Sequence, residues 1–430
     1  MRKTHTFSVT DTAKFKKNLL FWSKTYEEVV FLDSNSHEDE YSSFDALLAV
    51  DANYVLSSNS NSFNKLKLAQ EEKKDWLFGY LSYDLKNELE SLESNNYDGL
   101  SFPQLYFFQP KRLILLKDNT VQFLYVESIS DQIERDFNTI LNFIPEKEDD
   151  GKTNIKIRMR IHKDAYHKKA NMFLKHIQLG DIYEANFCQE FYAEDTAIEP
   201  TATFLRLNDI SAPPFASFLR FNNNYLLSAS PERYIKKIGS KVISQPIKGT
   251  AARCDDSTKD NMLKINLEKD PKERSENIMI TDLVRNDLSI LAKKGTVKVA
   301  ELCKVYSFKQ VHQMISTITA VLDEHVNPVE LIKTTFPMGS MTGAPKIAAL
   351  EIIERLEETK RGLYSGAVGY FTPDGNFDFN VVIRSILYNS AKRYVSYSVG
   401  SAITAKSEPE KEYQECLLKA KAMRKVLESN

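Results

Sequence analysis

The segment Gln245-Pro246-Ile247-Lys248-Gly249-Thr250 follows a strand-like run, Lys241-Val242-Ile243, and places a lysine at a predicted bend of the backbone. Proline fixes φ and cannot donate to a ladder, and glycine has no Cβ, so the chain can turn sharply here and approach another group closely. A solvated lysine in an ordinary turn would show the same local pattern. Whether Lys248 has a chemical role therefore depends on the other segments of the chain.

The composition is that of an ordinary globular protein. The 430 residues are 42% hydrophobic and 27% charged, with a formal net charge of −2. This length predicts one large domain with subdomains or two domains. The balanced charge, without a concentrated basic block, argues against nucleic acid as the main partner.

Membrane and zinc-binding patterns are not found in the sequence. No apolar run approaches the length that spans a bilayer, and no apolar signal segment follows the first residues. The seven histidines lack the usual zinc spacing, so any metal is expected to be held by carboxylates. The cysteines are far apart and form no CxxC pair, which favours reduced thiols in a cytoplasmic protein. They are Cys188, Cys254, Cys303 and Cys416.

A polar stretch at 145–152 is the best candidate for a domain boundary. It predicts an N-terminal subdomain, residues 1–150, and a C-terminal catalytic region, residues 151–430. Aromatic and β-branched segments before the boundary predict strands. After it, the apolar spacing of 163–179 predicts an amphipathic helix.

Arg384 lies in the middle of an apolar segment, 377–388, which is predicted to be one strand of a hairpin. A charged group is costly to bury unless it is paired. Arg384 either lies on a solvated edge or faces a pocket and holds an anion. We favour the second interpretation, because apolar residues flank it on both sides.

Two Glu-x-x-Glu pairs occur on predicted helices that are far apart in the sequence, Glu273 with Glu276 and Glu412 with Glu415. If the helices face each other, four carboxylates converge and need a cation among them. Carboxylate oxygens without histidine or cysteine favour Mg²⁺. The simpler alternative is a solvated helix face, with an ion pair between Glu415 and Lys419.

Several motifs occur together in an order and spacing that point to one enzyme family. They are Gly180-Asp181-Ile182-Tyr183-Glu184-Ala185-Asn186, Ser230-Pro231-Glu232-Arg233, Pro246-Ile247-Lys248-Gly249-Thr250, 276–287, Gly339-Ser340-Met341-Thr342-Gly343-Ala344-Pro345-Lys346, 366–384 and Glu412-Tyr413-Gln414-Glu415. From about 165 to 425, and again at 75–88, the chain resembles the chorismate-utilising enzymes. These include anthranilate, aminodeoxychorismate, isochorismate and salicylate synthases. The resemblance implies an α+β fold with large, mostly antiparallel, sandwich-like sheets and helices packed outside.

The resemblance also implies a Mg²⁺-dependent reaction in which chorismate loses a ring hydroxyl. Glu276 and Glu415 match the direct metal ligands, and Glu273 and Glu412 match carboxylates that act through water. Glu232 matches the general acid that protonates the departing hydroxyl.

The resemblance implies further positions that contact the substrate. Arg384 matches the residue that binds a substrate carboxylate, a role that suits a guanidinium. The other matched substrate positions are Tyr370, Gly249, Thr250, Gly400 and Lys419.

Lys248 determines the expected branch of the family. The resemblance implies that a lysine here is typical of aminodeoxychorismate synthases, in which the amine attacks the ring, displaces the 4-hydroxyl and is itself replaced by ammonia. This role needs a neutral lysine, so burial is expected to lower its pKa, although nearby carboxylates would raise it. Glu184 stands where isochorismate and salicylate synthases have a lysine base, and Gln313 stands where anthranilate synthases tend to have histidine. We therefore expect synthesis of 4-amino-4-deoxychorismate, a precursor of 4-aminobenzoate and folate, with anthranilate synthesis for tryptophan as the alternative.

The source of ammonia is expected to be a partner protein. No segment of the chain resembles a glutamine amidotransferase, so a separate glutaminase subunit is expected. Some relatives bind tryptophan in the N-terminal half, and 31–34 and 213–215 match that region loosely.

Overall fold

The structure is a computed structural model that describes residues 1–37, 40–144, 155–309 and 311–428. The predicted boundary at 145–152 lies outside the described residues. The strands are β1 Arg2–Ser8, β2 Glu28–Asp33, β3 Ala46–Ser58, β4 Leu77–Leu81, β5 Leu105–Lys117, β6 Thr120–Val126, β7 Arg158–Met159, β8 Glu184–Ala193, β9 Phe215–Phe221, β10 Asn224–Ser230, β11 Arg233–Ile238, β12 Lys241–Gln245, β13 Ile247–Ala252, β14 Lys298–Ser307, β15 Val311–Val321, β16 Gly343–Ala344, β17 Ala367–Phe371, β18 Phe377–Val381, β19 Ser385–Asn389 and β20 Tyr394–Thr404.

The helices alternate with groups of strands along the chain. They are α1 Thr12–Trp22, α2 Ser62–Lys73, α3 Lys86–Glu90, α4 Ile133–Leu141, α5 Lys163–Leu179, α6 Pro200–Ser211, α7 Ser257–Lys269, α8 Pro271–Ser289, α9 Pro328–Thr335, α10 Lys346–Leu356 and α11 Pro409–Glu428. The helix predicted at 163–179 is confirmed as α5.

The strands form one antiparallel network with two arms that meet at β5. One arm runs from β5 through β3, β2, β9, β10, β19 and β20 to β8. The other runs from β5 through β4, β17, β18, β11 and β12 to β15. Strands from before residue 145 therefore pair directly with strands from after residue 154, at β2–β9 and β4–β17.

Two apolar clusters lie between the sheet network and the helices. The first includes Phe15 of α1, Tyr166 of α5 and Met423 of α11. The second includes Leu66 of α2 and Leu331 of α9, packed against aromatic residues of β4 and β5. This arrangement confirms the expected α+β fold with large antiparallel sheets and helices outside.

One predicted element is divided in the structure. The segment 377–388 forms two strands, β18 and β19, instead of one, and Arg384 lies between them with φ of 53°. A left-handed residue cannot continue an extended strand, so the chain bends at this point. The bend carries Arg384 out of the sheet ladder.

Candidate active site

Lys248 lies near the start of β13 and is held in a buried ion pair. Its Nζ is 2.7 Å from Glu184 Oε1 on β8, and the two side chains are 11% and 1% exposed. The Asn277 side chain on α8 donates a hydrogen bond to the Lys248 carbonyl at 3.2 Å. Gly249 follows with φ of 96°, a conformation that favours glycine. The predicted bend is therefore present, and it directs Lys248 towards Glu184.

The charges around Lys248 hold it in the protonated form. Burial lowers the pKa of Lys248, but Glu184, Glu276 and Glu415 raise it, and the net result is a pKa above the ordinary value. Burial acts in the expected direction, but the pKa of Lys248 is not lowered overall, because three carboxylates outweigh the loss of hydration. Lys248 is an ammonium group in the resting protein.

The two Glu-x-x-Glu pairs are brought together by α8 and α11. Lys272 Nζ lies 3.1 Å from Glu412 Oε1 and 3.8 Å from Glu276 Oε1, so one ammonium joins the two pairs. Ser401 Oγ donates to Glu412 and lies 3.4 Å from Glu415 Oε2. A Cβ added at Gly249 would lie 3.1 Å from Glu273 Oε2, which places the fourth carboxylate against the Lys248 bend. The alternative of a solvated helix face does not hold for Glu276 and Glu412, which are both buried.

The pKa values of Glu276 and Glu273 are raised, whereas that of Glu415 is lowered. Burial raises the pKa of Glu276 to about 7, despite the opposing charge of Lys248. Glu415 forms an ion pair with Lys419 at 2.6 Å. Burial raises the pKa of Glu415, but Lys419 opposes it strongly and the result is a pKa of about 2. Burial also raises the pKa of Glu273.

Glu232 lies in the connection between β10 and β11 with a buried side chain. Burial raises its pKa to about 7, although Lys248 and Lys419 both act to lower it. A carboxyl group with this pKa carries a proton in a large fraction of molecules near neutral pH. Glu232 can therefore act as a proton donor, and it lies close enough to Lys248 for the lysine charge to affect its pKa.

Arg384 has a guanidinium group without a protein anion to bind. In the described part of the chain, no hydrogen bond or ion pair involves this group, although its backbone carbonyl accepts from Ala229 N. Burial lowers the pKa of Arg384, and Tyr364 and Glu415 act in the opposite direction. An unpaired, largely enclosed guanidinium is suited to an anionic ligand.

Lys419 and Gly400 lie beside the four glutamates, Glu273, Glu276, Glu412 and Glu415. Lys419 Nζ donates to the Gly400 carbonyl at 2.8 Å, in addition to its pairing with Glu415. A Cβ at Gly400 would lie 2.6 Å from Cys188 Sγ, so only glycine fits this position on β20. Thr250 continues β13 beyond Gly249 and is exposed, with its backbone paired to Gln313.

A family model described as chorismate binding enzyme matches residues 27–425. The chain belongs to the chorismate binding enzyme family. The resemblance seen in the sequence motifs is confirmed, and the match extends across both predicted domains.

Relatives of this chorismate binding enzyme carry two different names. The chain is 35% identical to an anthranilate synthase component I-like protein of Synechocystis over 82% of the chain and 72% of that protein. It is 40% identical to aminodeoxychorismate synthase component 1 of Escherichia coli over 62% of the chain, and it covers 58% of that protein. It is also 32% identical to anthranilate synthase component 1 of Thermus thermophilus over 81% of the chain and 77% of that protein.

Solved structures confirm the fold of this chorismate binding enzyme. Anthranilate synthase component I from Streptococcus pneumoniae matches with a TM-score of 0.77 at 23% identity, over 90% of this chain and 94% of that one. MenF, the menaquinone-specific isochorismate synthase of Escherichia coli, matches with a TM-score of 0.79 at 17% identity, over 99% and 95%. At these identities the likeness concerns the fold alone.

None of the described helices is long and apolar enough to cross a bilayer.

The four glutamates Glu273, Glu276, Glu412 and Glu415 have the donor chemistry that Mg²⁺ prefers, since all the ligand atoms they offer are carboxylate oxygens. Glu276 Oε1 is buried and accepts no hydrogen bond, which leaves one ligand atom available. Across residues 1–37, 40–144, 155–309 and 311–428, no three carboxylate, imidazole or thiol groups are gathered closely enough to hold a metal ion. The Lys272 ammonium lies near two of these glutamates, Glu276 and Glu412.

One predicted substrate residue lies elsewhere in the structure. Tyr370 on β17 lines a separate cavity with Phe44, Arg233 and Asp378, and its ring packs against Trp76. Tyr364, before β17, is the tyrosine whose charge affects Arg384. β17 carries the Tyr370 side chain to the aromatic face shared with β4, and its contact with substrate stays a prediction. The cavity that contains Tyr370 also includes part of the region matched to tryptophan binding, at 32–34 and 214–215.

Sequence reasoning missed three residues that shape the site: Lys272, Asn277 and Tyr364. Asn277 is buried, and it donates to the carbonyls of Lys248 and Met314. A signal for Asn277 existed, since a polar residue beside Glu276 on the inner face of a helix needs a partner. Lys272 gave no signal, because a lysine in the first turns of a helix is ordinarily solvated.

Proposed function

We propose that this chorismate binding enzyme converts chorismate and ammonia to 4-amino-4-deoxychorismate, in the synthesis of 4-aminobenzoate. The observation that carries the proposal is the buried Lys248, which points into a group of carboxylates beside a buried acid, Glu232. The relative from Escherichia coli named aminodeoxychorismate synthase component 1 supports it.

Substrate binding in this proposal uses opposite charges at two ends of the site. The Arg384 guanidinium binds one carboxylate of chorismate through paired hydrogen bonds. Mg²⁺ held by Glu276 and Glu415, with Glu273 and Glu412 acting through water, would bind the ring carboxylate and oppose the negative charge that raises the pKa of Lys248.

The nucleophile in this proposal is the neutral amine of Lys248. Its nitrogen forms a bond to a ring carbon while the bond between the ring and the 4-hydroxyl breaks. The departing oxygen receives the proton of Glu232 and leaves as water. Ammonia then forms a bond at carbon 4 and the bond to Lys248 breaks, which returns the amine.

Glu184 is the group that controls the charge of Lys248 in this proposal. Its Oε1 lies 2.7 Å from Nζ, and its Oε2 is buried without a hydrogen bond. The pair must separate or share its proton before the amine can attack. Access of the substrate to this pair is therefore expected to control the first step.

We further propose that ammonia comes from glutamine through a separate glutaminase subunit, and that free ammonium can replace it in the assay. The partner would change the source of ammonia but not the product. This part of the proposal is tested by omitting glutamine and supplying ammonium salt to the purified chain. Formation of product only with glutamine and an added glutaminase would contradict the use of free ammonium.

The proposal is tested by mass spectrometry of the protein after incubation with chorismate and Mg²⁺, without ammonia. An adduct is expected on Lys248, and the Lys248→Ala protein should form none. Lys241→Ala, at an exposed lysine seven residues earlier, should retain the adduct. An adduct that maps to another residue would overturn the role given to Lys248.

The second candidate function is anthranilate synthesis. It is favoured by the relatives from Synechocystis and Thermus thermophilus, which match a larger share of the chain than the Escherichia coli protein does. In that reaction Lys248 would not become covalently attached. The adduct experiment therefore separates the two candidates as well.

A further inference from the structure

No proposed catalytic step uses Lys272, whose ammonium lies close to Glu276 and Glu412. It belongs to the first turn of α8, whose N-cap Asp270 accepts hydrogen bonds from Lys272 N and Glu273 N. Its side chain crosses from α8 to α11 and is 36% exposed, whereas the Glu412 side chain that it contacts is 3% exposed. A solvent-facing lysine would not need to reach a buried carboxylate on another helix.

The Lys272 ammonium lies where a cation shared by Glu412 and Glu276 would lie. Lys272 Nζ is 3.1 Å from Glu412 Oε1 and 3.8 Å from Glu276 Oε1. Glu276 Oε1 receives no hydrogen bond, so its attraction to Lys272 is purely electrostatic at this distance. The second Glu412 oxygen, Oε2, accepts a hydrogen bond from Ser401 Oγ.

Carboxylates that lie near one another repel each other unless positive charge lies among them. In the described structure, Lys419 forms an ion pair with Glu415, and Lys272 lies within ion-pair distance of Glu412 and Glu276. A metal ion that binds Glu276 and approaches Glu412 would have to take the place of the Lys272 ammonium. The two cations cannot both occupy the space between these oxygens.

We infer that Lys272 is an internal counter-cation. Its ammonium occupies the space between Glu276 and Glu412 when metal is absent, and it must be displaced when a divalent cation binds. Lys272 then weakens metal binding and stabilises the metal-free protein. This inference rests on the metal site in the proposed function. It makes Lys272 a positioning residue that acts through Glu276 and Glu412.

The inference is tested with the full chain after metal is removed with a chelator. Binding of Mn²⁺, a paramagnetic substitute for Mg²⁺, is measured by electron paramagnetic resonance, and thermal unfolding is measured with and without Mg²⁺. Lys272→Gln should bind Mn²⁺ about tenfold more tightly than the unchanged protein, because a competing charge has been removed. Its metal-free form should unfold at a lower temperature, and Mg²⁺ should raise that temperature by more than it does in the unchanged protein.

Two further variants separate displacement from a general change of charge or a folding defect. Lys411→Gln removes the same charge from α11 at an exposed pair with Glu408, 2.6 Å apart, and should leave Mn²⁺ affinity within about twofold. Lys272→Arg keeps the positive charge and should keep the affinity of the unchanged protein even if Lys272→Gln folds poorly.

The outcomes distinguish this inference from the metal site on which it rests. If the unchanged protein binds Mn²⁺ and Lys272→Gln binds it no more tightly, or Lys411→Gln gains equally, the counter-cation role is overturned and the metal site remains. If Lys272→Arg binds Mn²⁺ as tightly as Lys272→Gln is expected to, the role is likewise overturned. If none of the proteins binds Mn²⁺, the metal site itself is overturned.

Discussion

In the proposed function, the pair of Lys248 and Glu184 determines which product is formed. Lys248 carries a proton in the resting structure because Glu184, Glu276 and Glu415 raise its pKa by more than burial lowers it. The sequence indicated a lysine at a bend, and the structure adds the carboxylate 2.7 Å away that controls it. Removal of that carboxylate is expected to lower the pKa of Lys248, because the charge of Glu184 raises it.

Replacing Glu184 by glutamine is expected to lower the pH at which Lys248 becomes attached to chorismate. The amide can still accept a hydrogen bond, but it no longer stabilises the ammonium form. The check is the pH dependence of adduct formation without ammonia, in Glu184→Gln and in the unchanged protein. Glu194→Gln, at an exposed glutamate after the same strand, should leave the midpoint in place. A midpoint that moves to higher pH in Glu184→Gln would instead make Glu184 the base that deprotonates Lys248.

Glu232 gives a second prediction at this scale, with a defined dependence on pH. Burial raises its pKa to about 7, so the protonated form needed for a general acid predominates below that pH and is lost above it. Loss of the 4-hydroxyl should therefore slow as pH rises through about 7. Glu232→Gln cannot donate a proton, and kcat should fall by roughly 10²–10⁴ with this contribution to the pH dependence removed. An unchanged kcat would exclude Glu232 as the acid.

The element that assembles the site is α8. It begins at a Pro at its first position and the capping Asp270, and it carries Glu273, Glu276 and Asn277 on the face turned towards β13 and β15. The sequence placed Glu273 and Glu276 together on one predicted helix, because i, i+3 spacing is a local signal. Sequence patterns did not predict that Asn277 would hold the Lys248 carbonyl, since that contact joins residues 29 positions apart.

Asn277→Ala should therefore damage both stability and the placement of Lys248. Its amide donates to two backbone carbonyls, and the buried Ser316 hydroxyl donates to its oxygen. Removing these buried partners should lower the free energy of unfolding by about 2–4 kcal/mol. Denaturant unfolding measures the loss, and Asn286→Ala, at an exposed asparagine on the same helix, should change it by less than about 0.5 kcal/mol. Equal effects of the two variants would contradict the role of Asn277.

Gly249 is a position where β13 lies close to Glu273 of α8. Both Gly249 and Gly239 have positive φ, 96° and 57°, but only at Gly249 would a Cβ meet Glu273 and Met314. Alanine at either site should cost about 1–2 kcal/mol for the left-handed backbone. Gly249→Ala alone should also weaken Mn²⁺ binding, measured by electron paramagnetic resonance, because it displaces Glu273. If Gly239→Ala weakens metal binding by the same factor, contact with Glu273 is not the cause.

At the scale of the whole molecule, the β2–β9 and β4–β17 pairings tie the two predicted regions together through the sheet network. The fold class followed from motifs spread over the chain, and the family match at 27–425 confirms it. The aromatic segments predicted strands correctly, but not which strands would pair, because pairing depends on distant sequence. Tyr370, which the resemblance matches to a substrate position, packs with Trp76 around a cavity that also contains Phe44.

The central claim is that a chorismate binding enzyme with Lys248 in this site makes the 4-amino product. The most direct measurement incubates the purified chain with chorismate, Mg²⁺ and ammonium, and identifies the product by liquid chromatography and mass spectrometry. We predict 4-amino-4-deoxychorismate, formed by the unchanged protein and not by Lys248→Ala. Release of anthranilate by the unchanged protein would contradict the claim.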